Sequence, residues 1–421
     1  MQPKLLTVLR EGYSPALLRA DLFAGITVAM VALPLSIAIA IASGADPGKG
    51  LITAIVGGLL ISLLGGSRVQ IGGPTGAFIV VVYGVIARHG YDGLVLATLM
   101  AGLILIAAGL LRAGNLIALV PEAVVNGFTI GIAIIIASGQ LKDFLGLGGG
   151  AMPADFVPKL QALWAARATL NPVALGTGLA ALALIVGLRR RFPRYPGLIV
   201  ALALVSAGVA LAHLPVDTIQ SRYGALAAGL PMPHIPAISL AKLTELLPSA
   251  LVIAFLAAIE SLLSAMVADR MIEGRHRPNA EVLAQGWANI GSALFGGLPA
   301  TGAIARTATN IRAGGTTPVA GIIHALTILA VMLVAAPLAG YLVMPALAAL
   351  LLTTAWNMSE PHKWPAYWAA PPADRLLLVL TMVLTVLADL TVAIGVGVAL
   401  GLALRLRANP DAGQDWHTPE R

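Results

Sequence analysis

Two charged side chains interrupt long apolar stretches of this chain, one acid and one base. Glu260 stands in the run Phe255-Leu256-Ala257-Ala258-Ile259-Glu260-Ser261-Leu262-Leu263-Ser264, and on a helix Ser264 lies one turn along the same face. A carboxyl group in a hydrocarbon setting is costly to charge. It can pass between neutral and charged forms, as a proton-coupling group must; the alternative is permanent pairing with a cation. Arg306 lies five residues past Thr301. Its charge either adds positive potential to an anion site or neutralises Glu260, and both roles ask for the same position.

A second source of chemistry is the backbone. Gly72-Gly73-Pro74-Thr75-Gly76-Ala77 and Gly296-Gly297-Leu298-Pro299-Ala300-Thr301-Gly302-Ala303 look like copies of each other. Each follows a hydrophobic segment and leads into another apolar run, at matching places in the two halves of the chain. Pro and Gly break a helix, leaving a half-helix N-terminus whose first N–H groups have no intrahelical acceptor. Such an end attracts anions. A pair of interrupted segments in corresponding positions is the sequence pointer to the central site of an inverted-repeat transporter.

Membrane helices are the elements that must hold these groups. The chain has 421 residues, 58% hydrophobic and 11% charged, with mean hydropathy +0.90. A soluble domain carries about a quarter charged residues. With about 20 apolar residues per spanning helix, the hydropathy pattern predicts fourteen segments. They lie near 21–43, 49–65, 74–88, 92–112, 120–140, 172–190, 197–213, 247–271, 279–295, 303–312, 318–336, 340–357, 374–388 and 390–406. The third and tenth are short, and extended residues precede each, Ser67 to Ile71 and Gly297 to Thr301. Non-helical backbone at that depth is tolerated only where protein or a water-filled cavity covers it. Seven spans per half is an odd number, so the halves sit inverted: residues 1–213 and 247–407 form the two repeats. The Pro-rich stretch 214–246 joins them, 141–171 is a second external loop, and 408–421 is a polar, disordered cytoplasmic tail. The expected fold class is an all-α polytopic membrane protein.

The net charge of +7 is a topology signal rather than a nucleic-acid patch. With both termini inside, eighteen Lys and Arg fall on the cytoplasmic side and seven outside, with Arg306 in the membrane. Arg189, Arg190, Arg191 and Arg194 cluster after one span, and Arg270, Arg275 and Arg277 after another. The absence of cysteine excludes disulfides, thiolate nucleophiles and cysteine metal sites. The first apolar run, Leu22 to Ala42, is too long for a signal peptide and reads as the first span. No metal motif, phosphate-cradling loop or nucleophile turn appears, which disfavours an ATP-driven pump or a membrane hydrolase; no cofactor is expected. Asp389 and Glu122 read as turn and cap residues. His324, Asn126, Gln285 and Asn289 read as interhelical hydrogen-bonding groups, and Trp356, Trp364, Tyr367 and Trp368 as an interfacial belt.

Taken together, Asp21 to Val28 with Leu33-Pro34, Gly66-Ser67-Arg68 to Ala77, Glu260 to Asp269 and Gly296 to Arg306 resemble the sulfate permease–prestin anion transporters. This family includes bacterial bicarbonate and dicarboxylate carriers. The resemblance covers about residues 15 to 407. It implies seven-plus-seven inverted repeats forming a core and a gate domain, with a small anion (bicarbonate, sulfate or a dicarboxylate) held between the half-helices of spans three and ten. Carried over by motif position, Thr75, Gly76 and Ala77 line one side and Gly302, Ala303, Ile304 and Ala305 the other, with Arg306 beside them. Leu35 and Ile39 close the pocket. The coupling position is Glu260, with Ser264 and Thr301; sodium-coupled relatives look to carry Asp beside Thr there, so Glu with Ser implies protons, with sodium as the alternative. Most of the family carries a cytoplasmic regulatory domain after the last span. This sequence ends fifteen residues past Leu406, so that domain is expected to be absent and a homodimer resting on it is open. The implied function is proton-coupled symport by alternating access in a bacterial inner membrane. An uncoupled exchanger or channel of the same fold is the alternative.

Overall fold

The computed structural model describes residues 2–115, 121–150, 152–192, 196–388 and 390–408. Asp389, Arg194 and the 409–421 tail, given roles above, lie outside the described residues, as do the side chains of Arg405 and Arg407. In chain order the first half contains α1 (Lys4–Glu11), α2 (Pro15–Ala42), α3 (Pro47–Leu64), β1 (Gly72–Gly73), α4 (Ile79–Leu110), α5 (Glu122–Leu145), α6 (Phe156–Ala165), α7 (Pro172–Arg191) and α8 (Gly197–Leu211). After the short α9 (Ile219–Tyr223) come α10 (Leu240–Ile272), α11 (Pro278–Leu294), β2 (Thr301–Gly302), α12 (Ile304–Arg312), α13 (Val319–Ala339), α14 (Met344–Met358), α15 (Trp364–Ala369), α16 (Pro372–Leu387) and α17 (Leu390–Ala408). Among the described residues, seven helices are long and apolar enough to cross a membrane: α2, α3, α4 with its preceding turn, α5, α7, α10 and α13.

Helix starts follow from local chemistry. Pro15 opens α2, and the Ser14 hydroxyl accepts from Leu17 N–H. Asp46 caps α3 through Gly48 N–H, with Pro47 at its first position, and Asn171 caps α7 through Val173 N–H. Each cap satisfies a donor that the helix itself leaves free.

Several boundaries differ from the sequence reading. The third and fourth segments form one helix, bent where Gly90 takes φ 70 and ψ −178. Part of the expected connecting loop is helical: α9 lies within it, and α10 starts at Leu240 and runs through Pro248. The second loop is likewise shortened by α5 reaching Leu145 and by α6. In both places burial against neighbours outweighs the polar, Pro-rich composition: Leu246, Leu163 and Ile219 are buried.

Two groups of helices result. α2, α3, α4, α10, α11, α12 and α13 pack with one another, and α5, α7, α8, α14, α16 and α17 form the other group; they meet chiefly where α14 lies on α2, with smaller contacts of α5 on α4 and α2, α8 on α2 and α17 on α10. A buried clasp fixes one side of the first group. Asp21 accepts from Thr316 N–H at 3.0 Å, from Thr317 N–H at 3.2 Å, from the Thr317 hydroxyl and from Tyr13 Oη at 3.0 Å.

Candidate functional site

The two broken stretches meet as a two-stranded antiparallel ribbon, with Gly72 opposite Gly302 and Gly73 opposite Thr301. Ala303 N–H extends it by donating to Ile71 O at 2.9 Å. Extended backbone therefore falls a few residues later than Ser67 to Ile71 in the first half and at the end of Gly297 to Thr301 in the second. The ribbon demands glycine at two places. Gly73 has φ +149, and a Cβ there would stand 2.1 Å from Arg306 Nη1. A Cβ on Gly302 would stand 1.5 Å from Gln70 Nε2.

Beyond each strand a helix begins without a side-chain cap: after Thr75 a tight turn over Gly76–Phe78 leads into α4, and after Ala303 comes α12. First-turn N–H groups at such ends have no intrahelical acceptor and carry the positive end of the helix dipole. Both ends open on one cavity of about 2160 Å³. Thr75, Gly76, Ala77, Ala303, Ile304, Ala305, Arg306, Leu35, Ile39 and Glu260 all line it. The Thr75 hydroxyl has no protein partner.

Arg306 is 1% exposed. Its Nη2 donates to Pro74 O at 3.0 Å and Ser36 Oγ at 3.1 Å, while Nε and Nη1 have no acceptor. Of the two roles left open for Arg306, pairing with Glu260 is not seen, and no ion pair joins them among the described residues. The Glu260 carboxylate has no hydrogen bond among the described residues either. Two uncapped helix ends, one guanidinium whose Nε and Nη1 are buried without acceptors and one unengaged carboxyl group thus gather at the cavity, an arrangement able to hold a small anion next to a protonatable acid.

Three expected residues do not reach it. Gly302 lies in the ribbon and does not line the cavity. The Thr301 hydroxyl donates to Ala257 O at 2.9 Å, and Ser264 Oγ donates to Thr307 Oγ1 at 3.2 Å. Both serve to tie α10 to the ribbon and α12. His324, expected to hydrogen-bond between helices, is fully buried with neither ring nitrogen partnered. Asn289 does bond as expected, though to the second broken stretch: its amide accepts from Ala300 N–H at 3.0 Å and donates to Ala300 O at 2.8 Å.

Asn126 of α5, expected to hydrogen-bond between helices, faces the same cavity, and with it, unforeseen from sequence, Thr129 of α5 and Thr353, Thr354 and Asn357 of α14. Their signal is polar residues at helical spacing within apolar segments, three or four apart. From the site the cavity extends to a mouth where Lys4, Arg189, Arg270, Arg275, Arg277, Arg312 and Lys363 outnumber Glu122, Asp269 and Glu360, a net basic lining that favours anion entry.

Comparison with known proteins places this geometry among relatives. The description "Sulfate permease family" matches residues 18–381. YvdB of Bacillus subtilis (strain 168) is 43% identical over 382 residues, covering 90% of this chain and 72% of that protein. The bicarbonate transporter BicA of Picosynechococcus sp. is 32% identical over 386 residues, covering 89% of this chain and 67% of that protein. The solved transmembrane domain of a cyanobacterium bicarbonate transporter BicA has a TM-score of 0.83 to this fold at 33% identity, covering 91% of this chain and 99% of that one.

Proposed function

The chain belongs to the sulfate permease family, and we propose that it is a secondary active transporter, not an enzyme, that moves a small anion together with protons by alternating access. The observation that carries this reading is the single cavity onto which two uncapped helix ends, Arg306 and the unbonded Glu260 all open. Backbone N–H groups and a helix dipole select negative charge of compact shape. The family's description names sulfate and BicA's name bicarbonate, so these two, with small dicarboxylates, are the substrates to test.

In this reading the fourteen segments are spans of two inverted repeats, 1–213 and 247–407, joined by 214–246. The protein sits in a bacterial inner membrane with its termini and basic mouth on the cytoplasmic side, and the conformation described here is open inward. Thr75, Gly76, Ala77, Ala303, Ile304, Ala305 and Arg306 hold the anion, with Leu35 and Ile39 against it. Glu260 takes up and releases the proton, because a carboxyl group that faces an enclosed, partly apolar cavity without a fixed donor or cation can be neutral in one state and charged in another.

Labelled sulfate, bicarbonate and a dicarboxylate, each offered to proteoliposomes with and without an inward proton gradient, test the proposal. The expected result is gradient-driven accumulation of at least one anion, abolished in Glu260→Gln while anion counterflow persists. Wild-type accumulation by Glu260→Gln would refute proton carriage by this residue.

A further inference from the structure

A second membrane carboxylate, Glu281 near the start of α11, is fully buried, and donors surround it. Its Oε2 accepts from Gly66 N–H at 2.7 Å and Ser67 N–H at 3.1 Å. Its Oε1 accepts from Ser261 Oγ at 2.9 Å and Gln285 Nε2 at 2.9 Å. A carboxylate, which only accepts, fits four donors; an amide or a protonated acid would turn a hydrogen against one of them. Glu281 is therefore held by its surroundings, whereas Glu260 is left free.

The link between them is Ser261, the residue after Glu260. On a helix of 3.6 residues per turn, neighbours point about 100° apart, so Glu260 faces the cavity while Ser261 faces the buried network. The Ser261 hydroxyl donates to Glu281 and accepts from Gln285 Nε2 at 2.8 Å and Gln70 Nε2 at 2.7 Å. Gln70 lies two residues before β1, and Gly66 and Ser67 begin the non-helical segment that leads to it. One carboxylate thereby connects α11, the turn of α10 that carries Glu260, and the strand that leads to Thr75.

We infer that Glu281 is a positioning residue that keeps Glu260 in register with the anion-binding strand, through Ser261 and Gln70. The inference rests on the proposed transport reading. The network is contiguous and buried, its members no more than 6% exposed, and it joins two segments distant in sequence, so a displacement of the α10 turn at Glu260 moves the strand, and the reverse.

Ser261→Ala tests this in the full chain in proteoliposomes, with labelled sulfate and labelled bicarbonate as probes. It removes the shared hydroxyl and leaves Glu281 three donors. The expected outcome is a melting temperature lowered by a few degrees, as the loss of buried hydrogen bonds requires, a counterflow half-saturation like that of the unaltered chain, and gradient-driven accumulation reduced roughly tenfold, the size of a typical coupling between two sites. Unaltered accumulation overturns the inference. So does equal loss of counterflow and accumulation, because the network then only supports the binding site. If Ser261→Ala does not fold, Ser261→Cys, which keeps the size and weakens the hydrogen bonds, is read on the same assays. Failure of the transport reading shows separately, as accumulation that survives Glu260→Gln.

Discussion

Arg306 and Glu260 line one cavity from two neighbouring helices without touching: the guanidinium reaches back to Pro74 O and Ser36 Oγ, and the carboxylate meets no partner. The positive charge is thus held at Pro74, between β1 and Thr75, and two of its nitrogens are buried without a partner. The charge is nearly enclosed yet not neutralised by an ion pair, the condition under which an incoming anion is worth most to it.

This separation predicts the behaviour of Arg306→Ala. Half-saturation for the transported anion should rise roughly tenfold or more, since a charge-assisted contact contributes about 1.5–3 kcal/mol. Adding Glu260→Gln should not restore stability, because there is no pair to repair. Melting temperatures of both single variants and the double variant check this; a double variant more stable than Arg306→Ala alone would mean that the two side chains pair in another state.

Gly302 and Ala305 should respond oppositely to enlargement. Gly302→Ala drives a Cβ into Gln70 and breaks the ribbon, so a loss of about 1–3 kcal/mol of stability is expected from overpacking. Ala305 is exposed to the cavity, so Ala305→Trp should leave the melting temperature near that of the unaltered chain and abolish anion binding. Thermal unfolding with and without the anion separates the two.

Asn289→Leu should destabilise the second broken stretch. It strands both Ala300 N–H and Ala300 O in a buried site, at about 1–3 kcal/mol for each group left unsatisfied. A lower melting temperature is the expected readout, accompanied by weaker anion binding because β2 follows directly.

The clasp at the start of α2 carries a pH dependence. Burial, with the Asp21 carboxylate beside it, pushes the Tyr13 phenol up to about 12 from an ordinary value of 10. A group whose value is raised by folding adds stability that is complete below pH 10 and is lost as the pH climbs through about 12. Tyr13→Phe should therefore flatten the alkaline end of the stability curve over that interval, as followed by thermal unfolding against pH.

How much of this was legible in the sequence depends on the reach of each interaction. The Gly and Pro residues around Thr75 and Thr301 announce interrupted helices because their effect is local, and Glu260 announces itself by contrast with its apolar neighbours. Gly73 gives no sign that it must admit Arg306, which lies 233 residues further on, nor Gln70 that it will lie against Gly302. Glu281 is not singled out by the sequence, because its meaning comes from Gly66, Ser67 and Ser261, which only the fold brings near. The hydroxyl partners of Ser264 and Thr301 are likewise remote in sequence: Thr307 on α12 for the first and Ala257 O on α10 for the second.

The ribbon of Gly72–Gly73 with Thr301–Gly302 also dictates what kind of machine this can be. Its main-chain stitches, together with the grip of Arg306 on Pro74, weld the two helix starts into a single cradle. In the proposed transport cycle such a cradle would travel as one piece, as a lift carries its floor, and the surfaces that slide would be those where the two helix groups meet, α2 against α14 among them.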